Sequence, residues 1–308
     1  MKDLLTPHAT NETNVLHTVV LGLPDSLGAA PSLDEAYDAT SYHSLKCGVY
    51  PQEKDIKVEM TALLEILQRY NVEVLRPRLI QDYNQIFARD VAFTIDDRLF
   101  VANMIEDRMR EVEAFSPIFD RIDPNHLVKM PQDIHAEGGD VMLYNDYLFI
   151  GTCQDGEFDL YKTARTNRAG IDFFTRQFPN KKIVPLPLKK HDTDPYRSIL
   201  HLDCTFQPVG EGKAVVYPAG FAREEDFRLI EEIFGKENLF AVTQEEAMHL
   251  STNLFSLAPD VIISEERFTR LNHHLVNEWG MTVETVPYYE ISKEGGLLRC
   301  STCPIVRA

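Results

Sequence analysis

Residues 139–150 read Gly139-Asp140-Val141-Met142-Leu143-Tyr144-Asn145-Asp146-Tyr147-Leu148-Phe149-Ile150. An acidic residue opens the stretch, an apolar run follows, Asn-Asp interrupts it, and a second apolar run closes it. Two apolar runs around a short polar turn predict a β-hairpin. The pattern recurs. Arg89-Asp90 leads into 91–95, a turn at Asp96-Asp97, then 99–101. Leu202-Asp203 leads into 204–206, a turn through Gly210-Glu211-Gly212, then 214–217. Thr252-Asn253 leads into 254–257, a turn at Pro259-Asp260, then 261–263. The marker positions Asp90, Asp140, Asp203 and Asn253 stand about 50 to 60 residues apart, the kind of interval that signals a repeat architecture. Arg299-Cys300 follows at a similar interval, ahead of a short strand-like tail.

Working outward, each hairpin is followed by a helical stretch. Ile171, Phe174 and Phe178 recur at i, i+3 and i+7, as do Phe227, Ile230, Phe234 and Phe268, Leu271, Leu275. That spacing lays one apolar stripe along a helix. Ile56, Met60, Leu63, Leu64 and Leu67 do the same over 53–70. The stretch 106–121 is weaker, because Pro117 should break or kink it. Short strands are predicted next, at 72–75, 127–130, 183–186, 238–242 and 282–286. The strand at 15–23 has no module of its own, so it is expected to pair with the C-terminal tail and close a ring. These units predict an α/β fold: a five-fold pseudosymmetric α/β propeller of ββαβ modules, one domain over 1–308. The competing reading is a three-layer α/β sheet whose hairpins resemble one another by chance.

Composition bounds the partners. The 308 residues carry 31 basic and 48 acidic side chains, a net charge of −17. Nucleic acid is excluded as a partner, since phosphate binding rests on Lys and Arg. No run of 18 apolar residues exists, so no membrane span is expected. Residues 1–14 lack the basic-then-apolar layout of a secretory signal, and a cytoplasmic location is expected. The five cysteines, Cys47, Cys153, Cys204, Cys300 and Cys303, are odd in number, so reduced thiols are expected rather than a disulfide framework. Cys300 and Cys303 admit three readings: a zinc half-site, a redox pair, or one catalytic thiol with a bystander. No second CxxC and no HxxxH supplies further zinc ligands, and no metal or cofactor is expected.

Quasi-equivalent modules around one axis bring equivalent positions together. Asp90, Asp140, His201 with Asp203, Ser251 with Asn253, and Cys300 would then meet near the centre. A cysteine, a histidine and carboxylates form a nucleophile, base and orienter set. The carboxylates also suit a cation, and guanidinium is planar with five donors that carboxylates grip bidentately. Plainer readings stand beside these. Asp90 and Asp140 can be turn aspartates, His201 a satisfied half-buried histidine, Cys204 a core cysteine in an apolar strand, and His273-His274 a solvated pair.

The motifs Phe87-Ala88-Arg89-Asp90, Glu137-Gly138-Gly139-Asp140, His201-Leu202-Asp203 and Gly295-Gly296-Leu297-Leu298-Arg299-Cys300, with a weaker echo at Arg165-Thr166-Asn167, resemble the guanidino-group-modifying enzymes, or pentein superfamily. That group includes glycine amidinotransferase, arginine deiminase and dimethylarginine dimethylaminohydrolase. The resemblance implies Cys300 as nucleophile and His201 as general acid/base. Asp140 would orient His201 or bind guanidinium, Asp203 would grip the guanidinium, and Asp90 would line the substrate pocket. Arg89, Ser251 and Asn253 join them as substrate-binding residues. The implied partner is a small cationic, arginine-like guanidino substrate, and a homo-oligomer is left open. The second chemical step decides the activity: a bound amine makes an amidinotransferase, water a hydrolase. Ala164 stands where arginine deiminases carry a histidine-orienting glutamate, which leaves Asp140 as the expected histidine partner, as in the amidinotransferases. Arg89 to Met104 also aligns without gaps to the amidinotransferase version. Glu137-Gly138-Gly139 is closer to the hydrolases, and Arg299 replaces the histidine that precedes the nucleophile in glycine amidinotransferases. Amidino transfer is the favoured expectation, hydrolysis of the same group the alternative, and a non-catalytic guanidine-binding protein a second alternative. The groups that read the far end of the substrate are expected in the loop 29–54.

Overall fold

Asp96 and Asn145 take left-handed backbone, with φ of 53° and 52°, a conformation Asp and Asn tolerate better than other side chains. Two-residue loops therefore join Ile95 to Arg98 and Tyr144 to Tyr147 in register. In this computed structural model, which describes residues 4–308, each hairpin is one part of a larger unit. The first three residues of the 1–14 segment lie outside the described residues.

Among the described residues there are five three-stranded sheets. Four share one pattern: two antiparallel strands, a crossover, then a third strand parallel to the second. They are Ala92–Ile95, Arg98–Val101 and Leu127–Lys129; Val141–Tyr144, Tyr147–Thr152 and Lys182–Pro187; Phe206–Val209, Lys213–Val216 and Leu239–Ala241; and Phe255–Ala258, Val261–Glu265 and Thr282–Val286. A parallel neighbour needs a crossover connection, and the helices Arg168–Gln177, Glu224–Phe234 and Thr269–Asn277 supply three of them. In the fifth sheet Leu16–Leu21 lies between Thr302–Arg307, antiparallel, and Glu73–Leu75, parallel. The two ends of the chain thus close the propeller, as the sequence pattern predicts.

The stripes become the core. Helix Glu53–Arg69 buries Ile56, Met60, Leu63, Ile66 and Leu67, each contributing about 1.5–3 kcal/mol by burial. Phe174 sets its ring edge-on to Phe93 and Phe100, with centroids 5.8 and 5.4 Å away. Around Pro117 the predicted break occurs: Met109–Ala114 ends, and Ser116–Phe119 begins with the proline in its first turn, where a missing N–H costs little. Among the described residues no helix is long and apolar enough to cross a membrane.

The markers occupy tight turns ahead of the hairpins. Gly138–Asp140 and Leu202–Cys204 are single 3-10 turns. Cys204, expected in a strand, therefore ends a turn: the Thr205 amide bonds back to the Leu202 carbonyl, and the strand starts at Phe206.

Candidate active site

The run Glu137-Gly138-Gly139 needs its glycines. A Cβ on Gly138 would stand 2.1 Å from the Arg89 carbonyl oxygen, and one on Gly139 would stand 2.6 Å from His201 Cγ. The backbone therefore threads between Arg89 and His201 and delivers Glu137 to the imidazole. His201 Nε2 lies 2.9 Å from Glu137 Oε2, and Nδ1 lies 3.6 Å from Asp90 Oδ1. Neither His201 Nδ1 nor Asp90 Oδ1 has a hydrogen-bond partner. Burial opposes charge on this ring, but Asp90, Glu137 and Asp140 together outweigh it and push the imidazole up to about 9. Glu137 goes the other way: burial opposes its charge, yet Arg165, His201 and Arg108 hold it down at about 2.

Asp140 is not the partner of His201, contrary to the expectation. Its Oδ2 accepts from Thr166 Oγ1 at 2.6 Å and its Oδ1 from the Leu202 amide at 3.0 Å. The longer side chain of Glu137 reaches the ring, while Asp140 fixes the backbone beside it.

Cys300 is buried, at 2% exposure. Asn253 cradles it: Oδ1 accepts from the Arg299 and Cys300 amides at 2.9 and 3.2 Å, and Nδ2 lies 3.2 Å from the sulfur. The thiol lies 3.6 Å from Asp203 Oδ2. Asp203, expected to grip a substrate guanidinium, already holds one: Arg299 Nη1 donates to Oδ2 at 2.9 Å. Arg299 is also paired with Glu12 through two contacts of 3.1 Å. The arginine ahead of the nucleophile is therefore a fixed part of the wall. Arg89 lies against the same backbone, its amide donating to the Cys300 carbonyl at 2.9 Å and its Nε to the Arg299 carbonyl at 3.3 Å. Burial, reinforced by Arg299, lowers its pKa to about 10. Ser251 is buried with an unpartnered hydroxyl. Cys303 turns elsewhere, its thiol 2.9 Å from the Ala92 carbonyl.

Like Glu12, further groups at the site carry no role that the sequence pattern assigns. Arg108 donates to Asp90 at 2.7 Å and forks onto Glu111. Arg165, quoted only as a motif echo, forks onto Glu137 at 3.0 and 3.2 Å and donates to the Tyr37 carbonyl at 2.8 Å. Asp38 caps helix Ala39–Lys46 through Oδ1 while its buried Oδ2 has no partner. Glu294 is buried beside Asn84, and burial with the Asp38 charge pushes it up to about 8. Tyr37 and Asp38 bring the 29–54 loop onto the site, and between that loop and Asp82, Asn84, Asp107 and Glu111 lies a cavity of about 480 Å³. Asp90, Glu137 and His201 could also converge on a cation, but Arg108 and Arg165 already bring positive charge to their carboxylates.

A propeller whose equivalent turns converge a cysteine, a histidine and carboxylates defines a guanidino-group-modifying enzyme of the pentein superfamily, acting at an amidine C–N bond. Residues 49–307 match the model of the family N,N dimethylarginine dimethylhydrolase, eukaryotic, and the chain belongs to that family. It is 27% identical over 297 residues to the uncharacterized protein YkgA of Bacillus subtilis (strain 168), covering 96% of this chain and 94% of that one. It is 25% identical to an arginine deiminase of Bacillus cytotoxicus, covering 84% of this chain and 69% of that protein. Among solved structures, AgrE in complex with ornithine and NAD+ superposes with a TM-score of 0.77 at 18% identity, over 94% of this chain and 39% of that one. SxtG, an amidinotransferase from Microseira wollei in the saxitoxin biosynthetic pathway, gives 0.74 at 17% identity over 98% and 97%.

Proposed function

We propose that the chain, as one catalytic domain, hydrolyses the guanidino group of arginine or a substituted arginine through a covalent amidino-thioether on Cys300. The observation that carries this reading is the contact of His201 Nε2 with Glu137 at 2.9 Å. Asp140 as the histidine's partner is one of the two arguments for amidino transfer, and Asp140 instead bonds Thr166 and the Leu202 amide. Membership of a dimethylhydrolase family and likeness to an arginine deiminase support the same choice.

The chemistry follows from the residues. A guanidinium carbon is a poor electrophile because its charge is delocalised. Asp90 Oδ1, unpartnered and buried, is the free carboxylate oxygen beside His201 that suits the cation. Holding the cation near Cys300 turns the attack into an oriented intramolecular step and favours the thiolate. The sulfur bonds to the guanidino carbon and His201, charged at neutral pH, protonates the departing amine. His201 then accepts a proton from water, which attacks the amidino carbon and releases the Cys300 sulfur. Arg108 and Arg165 hold Asp90 and Glu137 in place throughout.

The second reading is transfer of the amidino group to an amine, favoured by the gap-free likeness of Arg89 to Met104 to the amidinotransferases. One assay separates the two. The purified chain is given arginine or Nω-methylated arginine, with and without glycine, and citrulline, ornithine and released amine are measured. Hydrolysis yields citrulline, or ornithine with ammonia, without an acceptor. Ornithine that appears only with glycine would sink the hydrolase reading, and no product from any guanidine would sink both.

A further inference from the structure

After strand Lys182–Pro187 the chain makes an excursion before it reaches His201. The Ile199 amide closes its neck by donating to the Lys189 carbonyl at 2.8 Å. The excursion braces itself: His191 Nδ1 accepts from the Thr193 and Asp194 amides at 3.2 and 3.0 Å, and Ser198 Oγ accepts from the His191 amide at 3.3 Å. Lys190 turns the other way. It is 6% exposed, and its ammonium donates inward to the Ile199 and Leu200 carbonyls at 3.0 and 2.8 Å.

An ammonium is costly to bury. Burial lowers the pKa of Lys190, and the Asp140 carboxylate opposes that shift. The backbone bond at the neck already closes the excursion, so closure does not require the cation. What the cation adds lies one residue further on. A peptide unit is planar, so the bond to the Leu200 carbonyl fixes the plane that ends at the His201 Cα. The next plane carries the Leu202 amide, which donates to Asp140 Oδ1 at 3.0 Å. Both planes that meet at His201 are therefore held, one by a buried cation and the other by a buried carboxylate. Together they set its φ of −130° and ψ of 168°. From that backbone the ring stands 2.9 Å from Glu137 and 3.6 Å from Asp90.

We propose that Lys190 is a positioning residue for His201: by pinning the Leu200 carbonyl it fixes, with Asp140, the backbone from which the imidazole meets Glu137 and Asp90. Lys190 acts through that backbone and not on the reacting atoms. The inference rests on His201 as the acid/base of the proposed chemistry, and it holds whether water or an amine completes the reaction. Its weight comes from the tolerance of proton transfer, which needs the donor within hydrogen-bond reach of the departing amine.

The test is Lys190→Met in the full-length chain, which keeps the length of the side chain and removes its donors and charge. With arginine or Nω-methylated arginine, kcat should fall about 10- to 100-fold, the loss that a displacement of about 1 Å brings. KM should stay within about twofold, since the groups that hold the cation are untouched. The His201 titration, read by NMR of labelled imidazole, should move down from about 9 as the ring drifts from the carboxylates that raise it. A merely structural lysine would lower the urea midpoint and leave both kcat and the titration of the folded chain in place, and that result overturns the proposal. An upward move of the titration overturns it too, because Lys190 would then act on the ring through its charge. Lys190→Gln keeps N–H donors without the charge and should lose less than Lys190→Met. It carries the test where the Met variant does not fold: wild-type kcat and titration there overturn the proposal equally. The titration needs no turnover. A chain that processes no guanidine would sink the hydrolase and transfer readings, while a downward shift in the variants would still uphold the brace.

Discussion

Burial alone would strip His201 of its charge, and three carboxylates reverse that. The closest is Glu137, 2.9 Å from Nε2. Glu137→Gln keeps the shape and removes the charge. The His201 titration should then move down from about 9, read by NMR of labelled imidazole, and kcat/KM should fall about 10²- to 10⁴-fold, as for loss of a positioned acid/base. A His201 that titrates as before would end the claim that Glu137 poises it. The substitution Asp140→Asn should act differently, leaving the Nε2 contact and loosening the turn at Leu202. These two carboxylates also mark the limit of the sequence at this scale. Glu137 and Asp140 are three residues apart in one glycine-rich turn, and spacing cannot say which side chain points at the ring. Glu12 carried no signal at all. Its partner Arg299 is 287 residues away, and no local pattern reports such a pairing.

Hairpins and helices were readable because each has a period of its own: apolar runs broken by polar turns in the strands, the i, i+3, i+7 stripe in the helices. Short 3-10 turns have no such period. For that reason Cys204 reads as a strand residue although it ends a turn. The turn residues nonetheless make the element testable. Asn145 sits at φ 52°, where a β-branched side chain is strongly disfavoured. Asn145→Val should destabilise the chain by about 1–2 kcal/mol, seen as a lower urea midpoint with unchanged slope, and should spare activity. Gly139→Ala should do more. Its Cβ would press on the His201 ring at 2.6 Å, so about 1–3 kcal/mol of overpacking should come with a loss of turnover. A fully active Gly139→Ala would mean that the turn can shift away from the histidine.

The whole molecule is closed by a sheet made from both chain ends, and its polar centre is braced by buried ion pairs that span the sequence. Removing one partner of such a pair costs about 3–5 kcal/mol, and Arg299 keeps its bond to Asp203, so Glu12→Ala should lower unfolding free energy by an amount toward the low end of that range in a denaturant titration. The buried groups also set the pH range. Glu12 and Glu137 are held at about 2 against an ordinary 4.5. The stability they give is present above pH 4.5 and is lost as pH falls through 2, on the order of 3 kcal/mol each. His201, raised from 6.5 to about 9, gives stability that is full below pH 6.5 and lost as pH rises through 9. Glu294, raised from 4.5 to about 8 by burial and Asp38, keeps its proton in the fold while the unfolded chain releases it. Its contribution therefore declines from pH 4.5 to 8. The net charge of −17 adds self-repulsion on the alkaline side. Thermal unfolding followed from pH 3 to 9 should then peak near pH 5 to 6 and fall on both sides. Glu294→Gln should flatten the alkaline limb and leave the midpoint at pH 5 nearly unchanged. A midpoint that climbs steadily to pH 9, or a variant that tracks the wild type at every pH, would show that Glu294 meets a compensating cation in the fold.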